Sequence, residues 1–151
     1  MSTFRAIFLR FSGRICAIPL HHVIEVLRPL PIDPVAGCPD FVSGLSVIRG
    51  KPTPVIRLSI LLDPASNSFV GRFVTLRVDD RVIALAVEDV SGIHDLDNVP
   101  LEDMPPLLRD ANAGWVERVG TLDSQLLIVL NAMRILPDEI WQTLMAREMA
   151  T

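Results

Sequence analysis

The chain has 151 residues, 50% hydrophobic and 21% charged, which sets an expectation of one core-forming globular domain and excludes a disordered tail. A net charge of −4 and an isoelectric point near 5.3 leave no electrostatic footprint for nucleic acid. Mean hydropathy is +0.41, yet the longest stretches free of Asp, Glu, Lys and Arg, Ile15–Ile24 and Ser124–Met133, are ten residues each, too short for a spanning helix. Arg5 and Arg10 interrupt any apolar run at the start, so no secretory signal is read there. Two cysteines, Cys16 and Cys38, make no disulfide framework. The expected setting is the cytoplasm.

Val and Ile together number 29 while Tyr is absent, a β-branched bias that favours strands. In chain order, Phe4–Phe11 and Ile15–Leu20 flank Ser12-Gly13 as a first hairpin, and a proline-rich loop follows over Pro29–Pro39. Val42–Ile48 and Thr53–Leu58 flank Gly50-Lys51. Pro52 and Pro54 there predict a strand that begins late or lies at an edge. A short helical turn is expected at Ser59–Leu62, and Pro64–Ser68 reads as a linker. Phe73–Val78 and Val82–Val87 then flank Asp79-Asp80, and a second proline-containing loop covers Val99–Pro106. Val116–Leu122 and Leu126–Leu130 flank Asp123-Ser124, a helical turn is expected at Asn131–Leu136, and an amphipathic helix over Asp138–Met149. Ile140, Trp141, Leu144 and Met145 give that helix an apolar stripe suited to docking on the protein's own core.

The pattern repeats. A shift of 67 residues lays Leu9–Ile18 over Leu76–Leu85, with Leu, Arg, Arg and Ala identical and Val23 falling on Val90. A shift of 74 lays Phe41–Leu45 over Trp115–Val119, and Pro54–Ile56 over Ile128–Leu130. Small sheets of short strands close on themselves or pack face to face, so two similar small β-barrels sharing an apolar seam are expected.

Catalytic chemistry is thin. Adjacent His21 and His22 point to opposite faces if extended, and His94 is remote in sequence. Neither cysteine has a CxxC partner. Gly44-Leu45-Ser46-Val47-Ile48 lacks the second glycine of a GxSxG elbow, and no phosphate-binding glycine loop occurs. The pairs Asp79-Asp80, Glu88-Asp89 and Glu102-Asp103 read as solvated turns and edges. No catalytic residue, metal ligand or cofactor-binding residue is assigned.

The stretch Phe-Val-Ser-Gly-Leu-Ser-Val-Ile-Arg-Gly over residues 41–50, followed by Pro54-Val55-Ile56-Arg57-Leu58, resembles the signature of CheW-like domains. Ala17–Leu20 with Val23-Ile24-Glu25-Val26, and Ala86–Val90, are similar to two further segments of that family. The resemblance covers residues 4–136. It implies an all-β fold of two five-stranded SH3-like β-barrels with a pseudo-repeat, the half-repeats lying at about 4–66 and 69–136 with interleaving allowed, and a C-terminal α-helix over 137–151. It implies a non-enzymatic adaptor that ties the cytoplasmic tip of a methyl-accepting chemoreceptor to the regulatory domain of a CheA-type histidine kinase. Such an adaptor needs no cofactor or nucleic acid and reaches the membrane only through receptors.

By the same resemblance Val23, Glu25 and Arg49 are partner-binding. The residues themselves are consistent with this: Arg49 beside Gly50 at a hairpin tip presents a planar fork that Glu25 is a candidate to meet. The repeat sets Gly92 against Glu25 and Asp123 against Arg49, so a charge pair here would belong to one surface only. Two departures from the family pattern stand nearby. Val47 replaces an Asn, and Arg57 replaces an Asp, reversing a charge that bears on which partners are tolerated and placing Arg57 among the partner-binding candidates. A retuned adaptor of another chemosensory output, such as pilus motility, and a small-ligand β-barrel are the competing readings.

Overall fold

The computed structural model describes residues 4–97, 99–103 and 114–149, the last three by backbone alone. The expected loop over 99–106 is therefore seen as far as residue 103, its remainder and residues 150–151 lying outside the described residues. Among the described residues eleven strands carry the fold: β1 Arg5–Phe11, β2 Arg14–Pro19, β3 Val23–Leu27, β4 Val42–Ile48, β5 Lys51–Arg57, β6 Arg72–Val78, β7 Arg81–Val87, β8 Asp89–Asp95, β9 Leu101–Asp103, β10 Val116–Leu122 and β11 Gln125–Leu130. Helix α1 is the single turn Leu58–Leu62, and α2 is Asp138–Met149. Short 3-10 turns stand at Leu20–His22 and Ala132–Arg134.

The strands form two sheets, one in the order β8-β1-β2-β11-β10-β9 and the other β3-β6-β7-β5-β4. Exchanging β1 with β6, β2 with β7, β3 with β8, β4 with β10 and β5 with β11 turns one order into the other, β9 being the single addition. The registers obey the same rule. Leu9 faces Cys16 as Leu76 faces Ile83, at a shift of 67. Val42 faces Ile56 as Val116 faces Leu130, at a shift of 74, each with an irregularity one step later. The sequence repeat is thus a repeat of structure, with strands of the early and late blocks mixed in both sheets.

That mixing explains why β1, β2, β6 and β7 are apolar almost throughout, since both of their faces are buried. Leu9, Phe11 and Ile18 on one side and Leu76, Ile83 and Leu85 on the other meet in a common seam between the sheets. The opposite faces fill separate interiors, with Ala6, Phe8, Ala17 and Leu127 in the first sheet and Val55, Phe73, Ala84 and Ala86 in the second. Among the described residues the fold is all-β apart from its helical turns and α2, an arrangement consistent with two SH3-like subdomains. The second has the expected five strands, while β9 makes the first a sheet of six.

In each sheet the chain leaving one edge strand returns to pair with the other edge. After β3, Asp33 exchanges two backbone hydrogen bonds with Leu45 of β4, at 2.8 and 2.9 Å. After β8, β9 pairs with β10. The outer sides of β4 and β10 are thereby paired at these points. Gly44 makes the first return possible: its φ is +138°, and a Cβ there would lie 2.1 Å from the Asp33 carbonyl oxygen.

Two expectations are corrected. Strand β5 begins at Lys51 and lies between β7 and β4, neither late nor at an edge. The Arg57 amide donates to the Phe41 carbonyl on the β4 side, so alternation turns the nitrogens of Pro54 and Pro52 toward β7. Pairing with β7 starts only at Val55, and neither proline interrupts a ladder bond. The β4–β5 turn is Arg49-Gly50 and not Gly50-Lys51, with φ of +53° and +76°.

The C-terminal helix packs on the protein's own core. Leu144 is fully buried, and Ile140, Trp141 and Met145 pack against the seam cluster. Arg81 pins the helix to the start of β7, donating to Asp138 Oδ1 at 2.6 Å while its guanidinium lies 5.1 Å from the centre of the Trp141 ring.

Candidate functional site

At the end of the second sheet where β4 turns into β5, Arg49 adopts a left-handed backbone that a non-glycine side chain disfavours. The equivalent first turn residues of the other three hairpins are Ser12, Asp79 and Asp123, small polar residues that suit this conformation better. A long cationic side chain is the exception, so local backbone preference does not explain it.

Glu25 reaches this turn from β3. An irregularity between Val23 and Glu25 shifts the pairing with β6, and Thr75 fixes the displaced backbone. The Thr75 hydroxyl accepts from the Glu25 amide at 3.2 Å and donates to the Glu25 carbonyl at 3.3 Å. The side chains then meet as a fork: Arg49 Nε donates to Glu25 Oε2 at 3.0 Å and Nη2 to Oε1 at 2.6 Å. This hydrogen bonding, reinforced by the guanidinium charge, holds the Glu25 carboxyl below the usual carboxylate range, and the same pairing raises Arg49. The Arg49 side chain is 75% exposed and that of Glu25 24%, so the carboxylate is the sheltered partner. Strands β3 and β4 are the two extremes of the sheet order, and the fork spans between the first strand and the tip of the last hairpin.

Beneath the fork lies a pocket of about 340 Å³ to which all five strands contribute: Ile24 and Glu25 from β3, Thr75 and Arg77 from β6, Val82 from β7, Lys51 and Thr53 from β5, and Ile48 from β4, with Arg49 at the tip. It is the open mouth of the second sheet. Register places Ser46 opposite Thr53 on the same face. Its buried hydroxyl has no hydrogen-bond partner among the described residues. Ile24 at the mouth is an exposed aliphatic side chain, and Val26 and Val47, on the same edge strands but outside the pocket lining, are exposed too, Val47 at 65%.

Glu25 and Arg49 are thus brought together. Val23 faces the other way, half-buried against the seam cluster opposite Leu76, and its neighbour Ile24 presents the exposed side chain. Arg57 stands at the far end of β5, ~20 Å along the strand from Lys51. There its Nη2 donates to the Ser68 carbonyl and its Nε is buried without a partner among the described residues, so it braces the linker between β5 and β6. Sequence reasoning passed over Ile24, Lys51, Thr53, Thr75, Arg77 and Val82. Strict alternation outward from Val23 finds Ile24, but the others need the strand order, which no local pattern supplies.

The remaining chemistry-bearing groups have structural surroundings. Burial pushes the Cys16 thiol far up, away from reactivity. The rings of His21 and His22 lie 4.1 Å apart, and His94 lies against Phe8. Among the described residues, no three His, Cys, Asp or Glu side chains gather as a metal-ligand set. No helix among them is long and apolar enough to cross a membrane.

The family model for the CheW-like domain matches residues 5–139. Relatives include the chemotaxis protein CheW of Helicobacter pylori, 23% identical over 122 residues that cover 80% of this chain and 73% of that protein. The chemotaxis protein CheW of Treponema pallidum is 18% identical over 147 residues, covering 93% and 86%. In three dimensions the chain is similar to the scaffolding protein TtCheW from Thermoanaerobacter tengcongensis, with a TM-score of 0.75 at 17% identity over 92% of this chain and 96% of that one, a likeness of fold.

Proposed function

The chain belongs to the CheW-like domain family, as a non-catalytic adaptor of chemotaxis signalling, and from that premise we propose that it couples chemoreceptor cytoplasmic tips to the regulatory domain of a CheA-type histidine kinase. The kinase contact lies on the face around the second-sheet mouth, with Glu25 and Arg49 as its polar centre and Val23 seating the strand that offers Ile24. The observation that carries this reading is the fork itself: an exposed arginine kept on a strained turn and aimed by a sheltered carboxylate, at the rim of an aliphatic pocket. All four hairpin tips carry a non-glycine residue on a left-handed backbone, and a long arginine on one of them, where the others have Ser or Asp, signals a role beyond folding. Exposed aliphatic residues supply the contact area and the oriented guanidinium supplies selectivity. Arg57 serves the linker and is assigned no partner contact. The adaptor acts in the cytoplasm and meets the membrane only through receptors.

Titration against the regulatory domain of each CheA-type kinase of the source genome tests the reading. Saturable binding to one of them, weakened by Arg49→Ala at an unchanged melting temperature, is expected. A well-folded protein that binds none of them contradicts the proposal.

A further inference from the structure

Resting on that reading of the fork face, we propose that the mouth of the second sheet receives an aliphatic side chain carried between acidic residues of the partner protein, and that Lys51 and Arg77 select it. The floor argues for the aliphatic group. Ile24, Ile48 and Val82 line it without any aromatic ring, and the hydroxyl protons of Thr53 and Thr75 are already engaged by the carbonyls of Lys51 and Glu25. A sugar or a nucleobase would find no stacking surface on that floor, and the one hydroxyl beside it without a partner among the described residues, that of Ser46, is buried.

The rim argues for the acidic flanks. Arg49, Lys51 and Arg77 face a single carboxylate, Glu25, which the Arg49 fork occupies. Lys51 and Arg77 are exposed, and neither has an ion-pair partner among the described residues. This excess of positive charge stands in a chain whose net charge is −4, and it includes the chain's only lysine. Positive charge gathered locally against the global sign is the pattern of electrostatic complementarity to an anionic partner surface.

The other sheet shows what the same architecture looks like without this device. At the places corresponding to Thr75 and Thr53, themselves buried, it carries the larger and wholly apolar Phe8 and Leu127. At those of Arg49, Lys51 and Ile24 it carries Asp123, Gln125 and Ser91. Arg10, the counterpart of Arg77, donates to Ser91 at 2.6 Å. There larger apolar side chains replace the threonines, and Asp123 stands against Arg10 where the second mouth gathers Arg49, Lys51 and Arg77.

The test is a titration of the isotopically labelled protein, followed by NMR, with three blocked peptides: Asp-Glu-Leu-Glu-Asp, its glycine analogue Asp-Glu-Gly-Glu-Asp, and the basic Lys-Lys-Leu-Lys-Lys. The leucine peptide with acidic flanks should give saturable shifts centred on Ile24, Ile48, Thr53, Thr75 and Val82. The other two should not, and Lys51→Glu with Arg77→Glu should weaken the response by at least about tenfold at unchanged melting temperature. Equal shifts from the basic peptide, no shifts from the acidic one, or indifference to the double substitution would overturn the inference. The kinase arm separates this from the reading beneath it. A protein that takes the acidic peptide but binds no CheA-type regulatory domain upholds the chemistry of the mouth and removes the adaptor role. A regulatory domain bound equally well by the double variant keeps the adaptor role and overturns the selectivity.

Discussion

Phe8 and Thr75 hold equivalent places in two sheets built to one plan, and the contrast between them runs through the rest of each mouth. In the first sheet the ring of Phe8 and the side chain of Leu127 are buried in the interior, and the hairpin tip carries Asp123. In the second, two smaller threonines, also buried, line a pocket, and the tip carries an arginine on a backbone it disfavours, held by a carboxylate from the far edge of the sheet. The shared plan accounts for the strand order, the registers and the returning edge segments of both. The fork and the charged rim, which the second mouth adds to that plan, therefore answer to something other than folding. The lesson is that an internal repeat supplies its own control: one copy shows what the architecture requires, and the other shows what has been added.

The largest effect should come from removing the buried ring of the first sheet. Phe8→Ala is expected to destabilise the protein by about 3–5 kcal/mol, because a buried aromatic is lost and a cavity remains. Chemical denaturation measures this, and a loss under about 1 kcal/mol would mean that the first-sheet interior does not depend on Phe8. The converse experiment fills the open mouth with the first sheet's own residue. Thr53→Leu should weaken kinase-domain binding at least about tenfold while the fold is kept, in line with the cost of obstructing a contact pocket. Calorimetric titration beside a melting curve separates the two effects.

Arg49→Gly sharpens the contrast at the turns. Glycine adopts the left-handed backbone without penalty, so the melting temperature should hold or rise although the fork is gone. A clear fall would mean that the fork serves the fold. The proton-linked effect is smaller. The fork lowers the Glu25 carboxyl, so its contribution is present above the ordinary carboxylate range and fades as pH falls through the depressed folded value. Following carboxyl carbons by NMR, Arg49→Ala should move the Glu25 midpoint up toward that of an ordinary carboxylate. Glu88, held low by the Ser68 hydroxyl and the Ser12 amide, should keep its own. Smallest of all, Ser46→Ala removes a buried hydroxyl that lacks a partner, and stability should stay the same or rise by up to about 1 kcal/mol.

Much of the fold was legible because the hairpins are local. Apolar runs broken by Ser12-Gly13 or Asp123-Ser124 announce strand, turn and strand, and the repeat ties two such sets together. The sheet to which each hairpin belongs was not legible, since the parallel contacts of β2 with β11 and of β5 with β7 join segments far apart in the chain. The prolines of β5 misled for the same reason: which side of a strand is unpaired is a property of the assembled sheet. At the site, Glu25 and Arg49 could be named as a candidate pair because an arginine beside a tip glycine is conspicuous. Lys51, Arg77 and the two threonines could not, because only the strand order gathers them around one opening. Arg57 was conspicuous for its charge alone, and its surroundings at the far end of β5 give it the linker to hold.

The most direct test of the asymmetry is one titration of the kinase regulatory domain with three proteins: wild type, Arg49→Ala and Asp123→Ala, the last altering the equivalent tip of the other sheet. Binding weakened at least about tenfold by Arg49→Ala and unchanged by Asp123→Ala, with all three melting alike, is the predicted result. Equal losses from both substitutions, or from neither, would contradict it.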